Sequence, residues 1–208
     1  MVDFWKKRDP APSGPARRLG ILPAAFNPVT LAHLEMARQA ARQYALDEVL
    51  FLLPRLFPHK EYAGATFDQR VEMLRAALSH EPKFSIGSTD AGLFIDIARA
   101  CRPAYGPEAE FFFPCGRDAA ERIVNWDYGW EAGIAQQLQE FQLLVAPRGG
   151  PYAPPPELAT RIHPLDLPPH LEQYSSSAVR AAIAAGEPWE HLVPAPAVQI
   201  IRQHRLYQ

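Results

Sequence analysis

The sequence predicts an α/β fold in which a parallel sheet is flanked by helices. Short, predominantly apolar runs at 19–22, 49–53, 110–115 and 141–146 suit strands buried on both faces. Between them lie stretches whose apolar residues step by three or four, the spacing of an amphipathic helix. Strands alternating with helices in this way build a parallel sheet with crossover helices. The loops after 22, 53, 115 and 146 each carry polar or charged residues. In such sheets those loops, at the carboxyl ends of the strands, are where ligands bind.

In chain order, residues 1–18 are charged and rich in Pro, Gly and Ala, and are expected to form a loose tail. Residues 19–208 are expected to form one domain, with a small helical part from about 174 to 208. Leu19–Leu22 reads as the first strand, and residues 25–30 as turn chemistry. A helix follows, with Leu34, Ala37, Ala41 and Ala45 on one face and Thr30 as its N-cap. Val49–Leu53 is a buried-type strand ending at Pro54, and 54–65 is a loop. Thr66–Leu78 reads as a helix facing inward through Val71, Leu74 and Leu78. Phe84–Ile86 is a short strand and Leu93–Arg102 a helix. Glu110–Cys115 and Phe141–Ala146 are strands, the first running into Gly116–Asp118. After a proline-rich stretch at 151–156 come a weak strand at Arg161–Leu165, a helix opened by Ser175–Ser177, and a last helix over Ala195–His204.

The 208 residues, 48% hydrophobic and 21% charged, fit an ordinary globular chain and exclude a fibrous or wholly disordered one. A formal charge of −2 argues against a protein that lives on nucleic-acid backbone, and there is no basic stripe with interleaved aromatics. Any anionic ligand must therefore meet a local cluster of donors. No apolar run reaches the roughly 18 residues of a membrane span, and the first residues lack a secretory h-region, so a cytoplasmic protein is expected. Cys101 and Cys115 stand in no metal or redox spacing and read as buried free thiols of a reducing compartment. His80, His163, His170, His191 and His204 show no metal spacing either. The 22 prolines, against roughly ten at average usage, read as stiff loops.

The chemistry concentrates at the first strand-to-helix junction, Phe26-Asn27-Pro28-Val29-Thr30-Leu31-Ala32-His33. A helix N-terminus offers free N–H groups and partial positive charge to a phosphate. Thr30 adds a hydroxyl and His33 an imidazole donor. This junction resembles the T/H-x-G-H signature of the nucleotidyltransferase superfamily. Further pieces follow in the order found in its nicotinate-nucleotide adenylyltransferases. Pro58-His59-Lys60 is similar to their P-P-H-K loop, and Arg70 with Met73-Leu74 to their R-x-x-M-L helix. Gly116-Arg117-Asp118-Ala119 and then Trp126 resemble G-A-D-A and its following tryptophan. Val145–Arg148, Ser175–Arg180, Leu192–Pro194 and Ile201–Tyr207 resemble V-A-P-R, S-S-T-x-I-R, L-V-P and the I-x-x-x-x-L-Y tail. Together they span about residues 19–207.

The resemblance implies a Rossmann-like fold and an adenylyltransferase of NAD biosynthesis. ATP gives AMP to the phosphate of a nicotinate or nicotinamide mononucleotide, and pyrophosphate leaves. It implies that Thr30, His33, Lys60 and Arg180 serve the transferring phosphates. Phe26, Asn27, Gly116, Asp118, Ser175, Ser176 and Ser177 would bind the nucleotide. His59, Arg70, Phe94, Trp126 and Arg148 would bind the acceptor. A magnesium ion is expected on the substrate phosphates, with no protein metal site. The residues have plainer readings too: Lys60 and Arg148 as surface charge, Ser175–Ser177 as a helix cap, Arg70 pairing to fix its helix, Trp126 and Trp130 as core or rim aromatics.

The sequence also departs from the pattern. Where the family has G-G-T/S-F-D-P the chain has Ala24-Ala25-Phe26-Asn27-Pro28, so two glycines, a hydroxyl and a carboxylate are missing, and Ala32 replaces the glycine of the signature. Thr30 stands for its first histidine, as in other branches of the superfamily, and Leu93–Ile97 replaces Y-T-x-D-T. A methyl group at a tight contact costs about 1–3 kcal/mol by overpacking. Two alternatives therefore stand beside the first reading: a transferase of the same fold using another acceptor or CTP, and a nucleotide-binding module without catalysis.

Overall fold

A computed structural model describes residues 1–8, 18–55, 64–129, 133–147 and 149–208. Seven strands among them form one sheet: β1 (Asp3–Lys6), β2 (Arg18–Pro23), β3 (Glu48–Pro54), β4 (Phe84–Thr89), β5 (Glu110–Gly116), β6 (Gln142–Ala146) and β7 (Ile162–Pro164), in the order β1-β4-β3-β2-β5-β6-β7. All pairings are parallel except β1 with β4. The helices are α1 (Leu31–Gln43), α2 (Phe67–Ala77), α3 (Phe94–Tyr105), α4 (Arg117–Val124), α5 (Gly133–Gln137), α6 (Ser176–Ala185) and α7 (Ala195–Gln203).

β3 shows how the apolar runs become core. It is buried along its whole length, and strand alternation sends Val49, Phe51 and Leu53 to one face and Leu50 and Leu52 to the other. β5 divides likewise, Phe112 to the first face, Phe111 and Phe113 to the second. On the first face the sheet meets Leu34 and Ala37 of α1, Leu74 of α2, Val179 of α6 and Ile201 of α7. On the second it meets Ile95 and Cys101 of α3 and Ala120 of α4. The helices start where local chemistry caps them. Thr30 and Thr66 each close a capping box with the residue three positions on, and Ser175 accepts the Ala178 N–H.

Three local readings change. The segment expected as a loose tail contains β1, an antiparallel edge strand. Val2 is buried, Phe4 packs on Tyr105, and Lys6 Nζ donates to the carbonyls of Glu81 and Phe84. The adjoining Arg8 forms an ion pair with the buried Glu48, which also accepts from Ser85 and Tyr105. A four-residue strand flanked by charge carries too little periodicity to be seen in the sequence. Ala45, expected on the face of the first helix, lies beyond its end at φ +48°. Residues 117–124, to which the sequence assigns no element, form α4. Among the described residues no helix is long and apolar enough to cross a membrane.

Candidate active site

β2 and β5 are neighbours in the sheet, yet the chain winds outward from β2 through β3 and β4 on one side and returns to build β5, β6 and β7 on the other. The loops at their carboxyl ends diverge and leave a crevice. A cleft of about 700 Å³ opens there. Its floor is the ends of β2, β5 and β6, and its walls are α1 with His33, the start of α3, α4 with the following Trp126, and the start of α6.

The loop entering α1 is held at successive carbonyls. Arg70 of α2, 5% exposed, donates from Nη1 to the Ala25 carbonyl at 2.9 Å. Arg180 of α6 donates to the Asn27 carbonyl at 2.7 Å, and the Ser176 hydroxyl to that of Pro28 at 2.7 Å. The Asn27 side chain is 3% exposed, and its Oδ1 accepts from the Tyr207 hydroxyl at 2.7 Å. Phe26, at φ +47°, drives its ring into the core against Phe51 and meets the His33 ring edge-on at 5.2 Å between centroids.

This frame fixes His33. The Thr30 N–H donates to His33 Nδ1 at 3.1 Å, and the Thr30 hydroxyl lies 2.8 Å from the same nitrogen. A backbone N–H only donates, so Nδ1 is an acceptor and the neutral ring carries its proton on Nε2. Thr30 Oγ1 in turn accepts the His33 N–H.

The sequence-derived site therefore divides. His33, Phe94, Gly116, Trp126, Ser175 and Ser176 line the cleft together. Asp118 is exposed on the adjoining groove, which shares Arg122 and Trp126 with the cleft. Ser177 is exposed and accepts from Arg180. Five other candidates do not line the cleft. Thr30 is fully buried, and its hydroxyl meets His33 Nδ1 and so orients the ring. Phe26 and Asn27 are buried and shape the loop. Arg70 holds the loop from behind and does not line the cleft. Arg180 likewise spends its guanidinium on the loop and on Ser177. His59, Lys60 and Arg148 lie outside the described residues.

Other lining residues escaped the sequence reading: Met36, Arg122, Tyr128 and Tyr174. Arg122, exposed on α4, donates from Nε to the Asp118 carbonyl. Three departures from the family pattern, Ala24, Ala32 and Leu93–Phe94, lie on the cleft wall. The Phe94 ring stacks on Phe113 at 4.6 Å, so the N-terminus of α3 faces the cleft above a packed aromatic base. Gly116 has no atom within 4 Å of where a Cβ would stand, which leaves the cleft floor open. Burial pushes the Cys115 thiol up to about 12, so this lining residue is a neutral thiol and not a nucleophile.

A parallel sheet with a crevice at its switch point, an oriented imidazole at one helix N-terminus and serines at another defines a nucleotidyltransferase. Residues 21–182 match the model of the cytidylyltransferase-like family, and the chain belongs to it. Within that family it groups with the nicotinate-nucleotide adenylyltransferases. A probable nicotinate-nucleotide adenylyltransferase of Gloeobacter violaceus is 33% identical over 205 residues, covering 91% of this chain and 96% of the relative. One of Thermus thermophilus is 30% identical over 196 residues, covering 92% and 100%. In fold, the chain is similar to Plasmodium falciparum nicotinic acid mononucleotide adenylyltransferase complexed with NaAD, with a TM-score of 0.73 at 17% identity over 92% of this chain and 97% of that one.

Proposed function

We propose that the protein transfers the adenylyl group of ATP to the phosphate of nicotinate mononucleotide. A phosphate oxygen of the acceptor attacks the α-phosphorus, the bond from that phosphorus to the oxygen bridging the β-phosphate breaks, and pyrophosphate leaves. The acceptor phosphate is already an anion near neutral pH, so the chain needs no general base and no covalent intermediate. Its work is to align two anions and to neutralise charge as it moves.

The observation that carries this reading is the His33 ring, oriented by Thr30 on the wall of the switch-point cleft with its proton on Nε2. We assign that proton to the α-phosphate. The starts of α1 and α6 supply N–H donors for the outer phosphates, joined by the Ser175 and Ser177 hydroxyls, while the Ser176 hydroxyl is already given to the Pro28 carbonyl. Asp118 suits ribose hydroxyls and Trp126 the face of an aromatic ring. Arg122 places a cation beside Trp126, where the carboxylate of the acceptor would lie. His59, Lys60 and Arg148 are assigned to the reacting phosphates and acceptor through the family resemblance alone.

Magnesium enters with the triphosphate as part of the substrate. Among the described residues no three His, Cys, Asp or Glu side chains gather as a metal cage, so the ion would take its ligands from phosphate oxygens and water. Two buried free thiols suit the reducing cytoplasm.

A second reading rests on the cleft wall. Ala24, Ala32 and Phe94 differ from the family pattern and face the ligand space, which favours an altered acceptor or CTP as donor. A pyrophosphate-release assay on purified protein with magnesium tests both, crossing ATP and CTP with nicotinate mononucleotide, nicotinamide mononucleotide and phosphopantetheine. Turnover with ATP and nicotinate mononucleotide is expected. Turnover only with CTP or a non-pyridine acceptor selects the second reading. Silence accompanied by nucleotide-dependent thermal stabilisation identifies a binding module without catalysis.

A further inference from the structure

The segment after α7 returns to the active-site loop by an unusual path. Arg205 and Tyr207 both adopt left-handed backbone conformations, at φ +49° and +67°. L-residues populate that region at a cost, and such strain persists where surrounding contacts fix it. Here the contacts bring the Tyr207 hydroxyl to Asn27 Oδ1 at 2.7 Å. The same oxygen receives the Ala65 N–H at 3.4 Å. Burial raises the phenol above its ordinary range, with Arg180 and Arg70 pulling the other way, so the hydroxyl remains a donor.

The Tyr207 ring lies against Gly64. A Cβ there would sit 2.7 Å from one ring carbon and 2.8 Å from another, and the Gly64 backbone, at φ +111°, is one that a side chain would strain. The ring is thus wedged against Gly64 while its hydroxyl, through Asn27, reaches the loop whose Thr30 orients His33.

We propose that Tyr207 is a positioning residue for adenylyl transfer, fixing through Asn27 the loop whose Thr30 orients His33. It touches no substrate and acts through the loop. The role rests on the function proposed above.

The test is steady-state kinetics of Tyr207→Phe with MgATP and nicotinate mononucleotide, beside its thermal midpoint. Removing one hydroxyl while keeping the ring is expected to lower kcat about tenfold, with both KM values within about twofold and a midpoint shift of a few degrees. Asn27→Leu is expected to match it, and the double variant to lose no more than either single one, because all break one connection. Asn27→Asp, whose carboxylate accepts the same two hydrogen bonds, is expected to lose less than Asn27→Leu. Unchanged kcat in Tyr207→Phe, or losses in the two single variants that multiply in the double, overturns the role while leaving the enzyme assignment intact. A wild-type protein silent with this substrate pair overturns the assignment and the role together.

Discussion

On the face of the sheet covered by α1, α2, α6 and α7, the loop that enters the cleft is gripped at Ala25, Asn27 and Pro28 by side chains from α2 and α6. On the face covered by α3 and α4, the corresponding wall presents Gly116 with open space around it and Trp126 at 55% exposure. The contrast matches two tasks. Charge developing on a transferring phosphate is stabilised best by groups that need no reorganisation, so the His33 side is built rigid. Recognition of the ring and sugar needs room and flat surfaces, so the α4 side is built open. Changes on the first face should therefore alter turnover, and changes on the second should alter affinity.

The largest expected effect breaks the first half of that contrast. His33→Ala removes the oriented donor and is expected to lower kcat by two to three orders of magnitude, about 2.7–4 kcal/mol in the barrier. The fold should survive, because the ring faces the cleft and Thr30 can still cap α1 through the residue-33 N–H. Loss of the far-ultraviolet dichroism of the wild type, or a kcat within threefold of it, contradicts the placement.

Alkaline pH separates the faces next. Cys101 and Cys115 both belong to the core of the α3–α4 face, and burial pushes each thiol up to about 12. An ordinary thiol ionises near 8.5, so the folded state keeps protons that the unfolded chain gives up. With folded values raised, the contribution is complete below about pH 8.5 and is lost as pH rises toward 12. The loss is about 1.4 kcal/mol per unit for each thiol, or about 3 kcal/mol for both. Tyr105 and Tyr207, also raised by burial, add to the slope only above about pH 10, their ordinary range. Urea denaturation between pH 8.5 and 10 should show this slope, and Cys101→Val should make it shallower by about half. An equal slope in wild type and variant would deny the buried thiol its part.

How much of this was legible beforehand follows from what kind of signal each part leaves. The central strands were legible because burial on both faces demands continuous apolar runs, and β3 and β5 obey that demand. β1 was not, since four residues pinned by Lys6 and Arg8 leave no run. The cleft lining was legible where a side chain of the expected type faces the open space, as at His33, Ser175 and Trp126. It was not legible where a side chain bonds a backbone carbonyl. Arg70, Arg180 and Asn27 are the polar residues a phosphate site would use, and nothing in sequence says that their partners are Ala25, the Asn27 carbonyl and Tyr207. Arg122 and Tyr128 were missed for another reason. They ride on or just after α4, a helix of only eight residues with a single buried position.

Gly116→Ala probes the open face. The backbone there, at φ −79° and ψ 161°, suits alanine, and no atom stands within 4 Å of the added methyl. Stability should hold, or rise by about 0.4–1 kcal/mol as the unfolded chain loses freedom. The methyl instead occupies ligand space, and overpacking of about 1–3 kcal/mol corresponds to affinity falling about fivefold or more. Calorimetric titration with nucleotide beside thermal unfolding measures both. Loss of stability with unchanged affinity would mean that this floor is packing and not ligand space.

The smallest effect is the sharpest discriminator. Trp126 lines the cleft and the neighbouring groove while remaining more than half exposed. An exposed indole contributes little to the core, so Trp126→Ala should leave the thermal midpoint within a few degrees. If the ring stacks on the acceptor, its loss costs about 0.5–1.5 kcal/mol, roughly a two- to tenfold rise in KM for nicotinate mononucleotide with kcat nearly constant. Trp126→Phe keeps a flat face and should recover most of the loss. A fall in kcat at constant KM would place Trp126 with the rigid apparatus of His33, and the division of labour between the two faces would not stand.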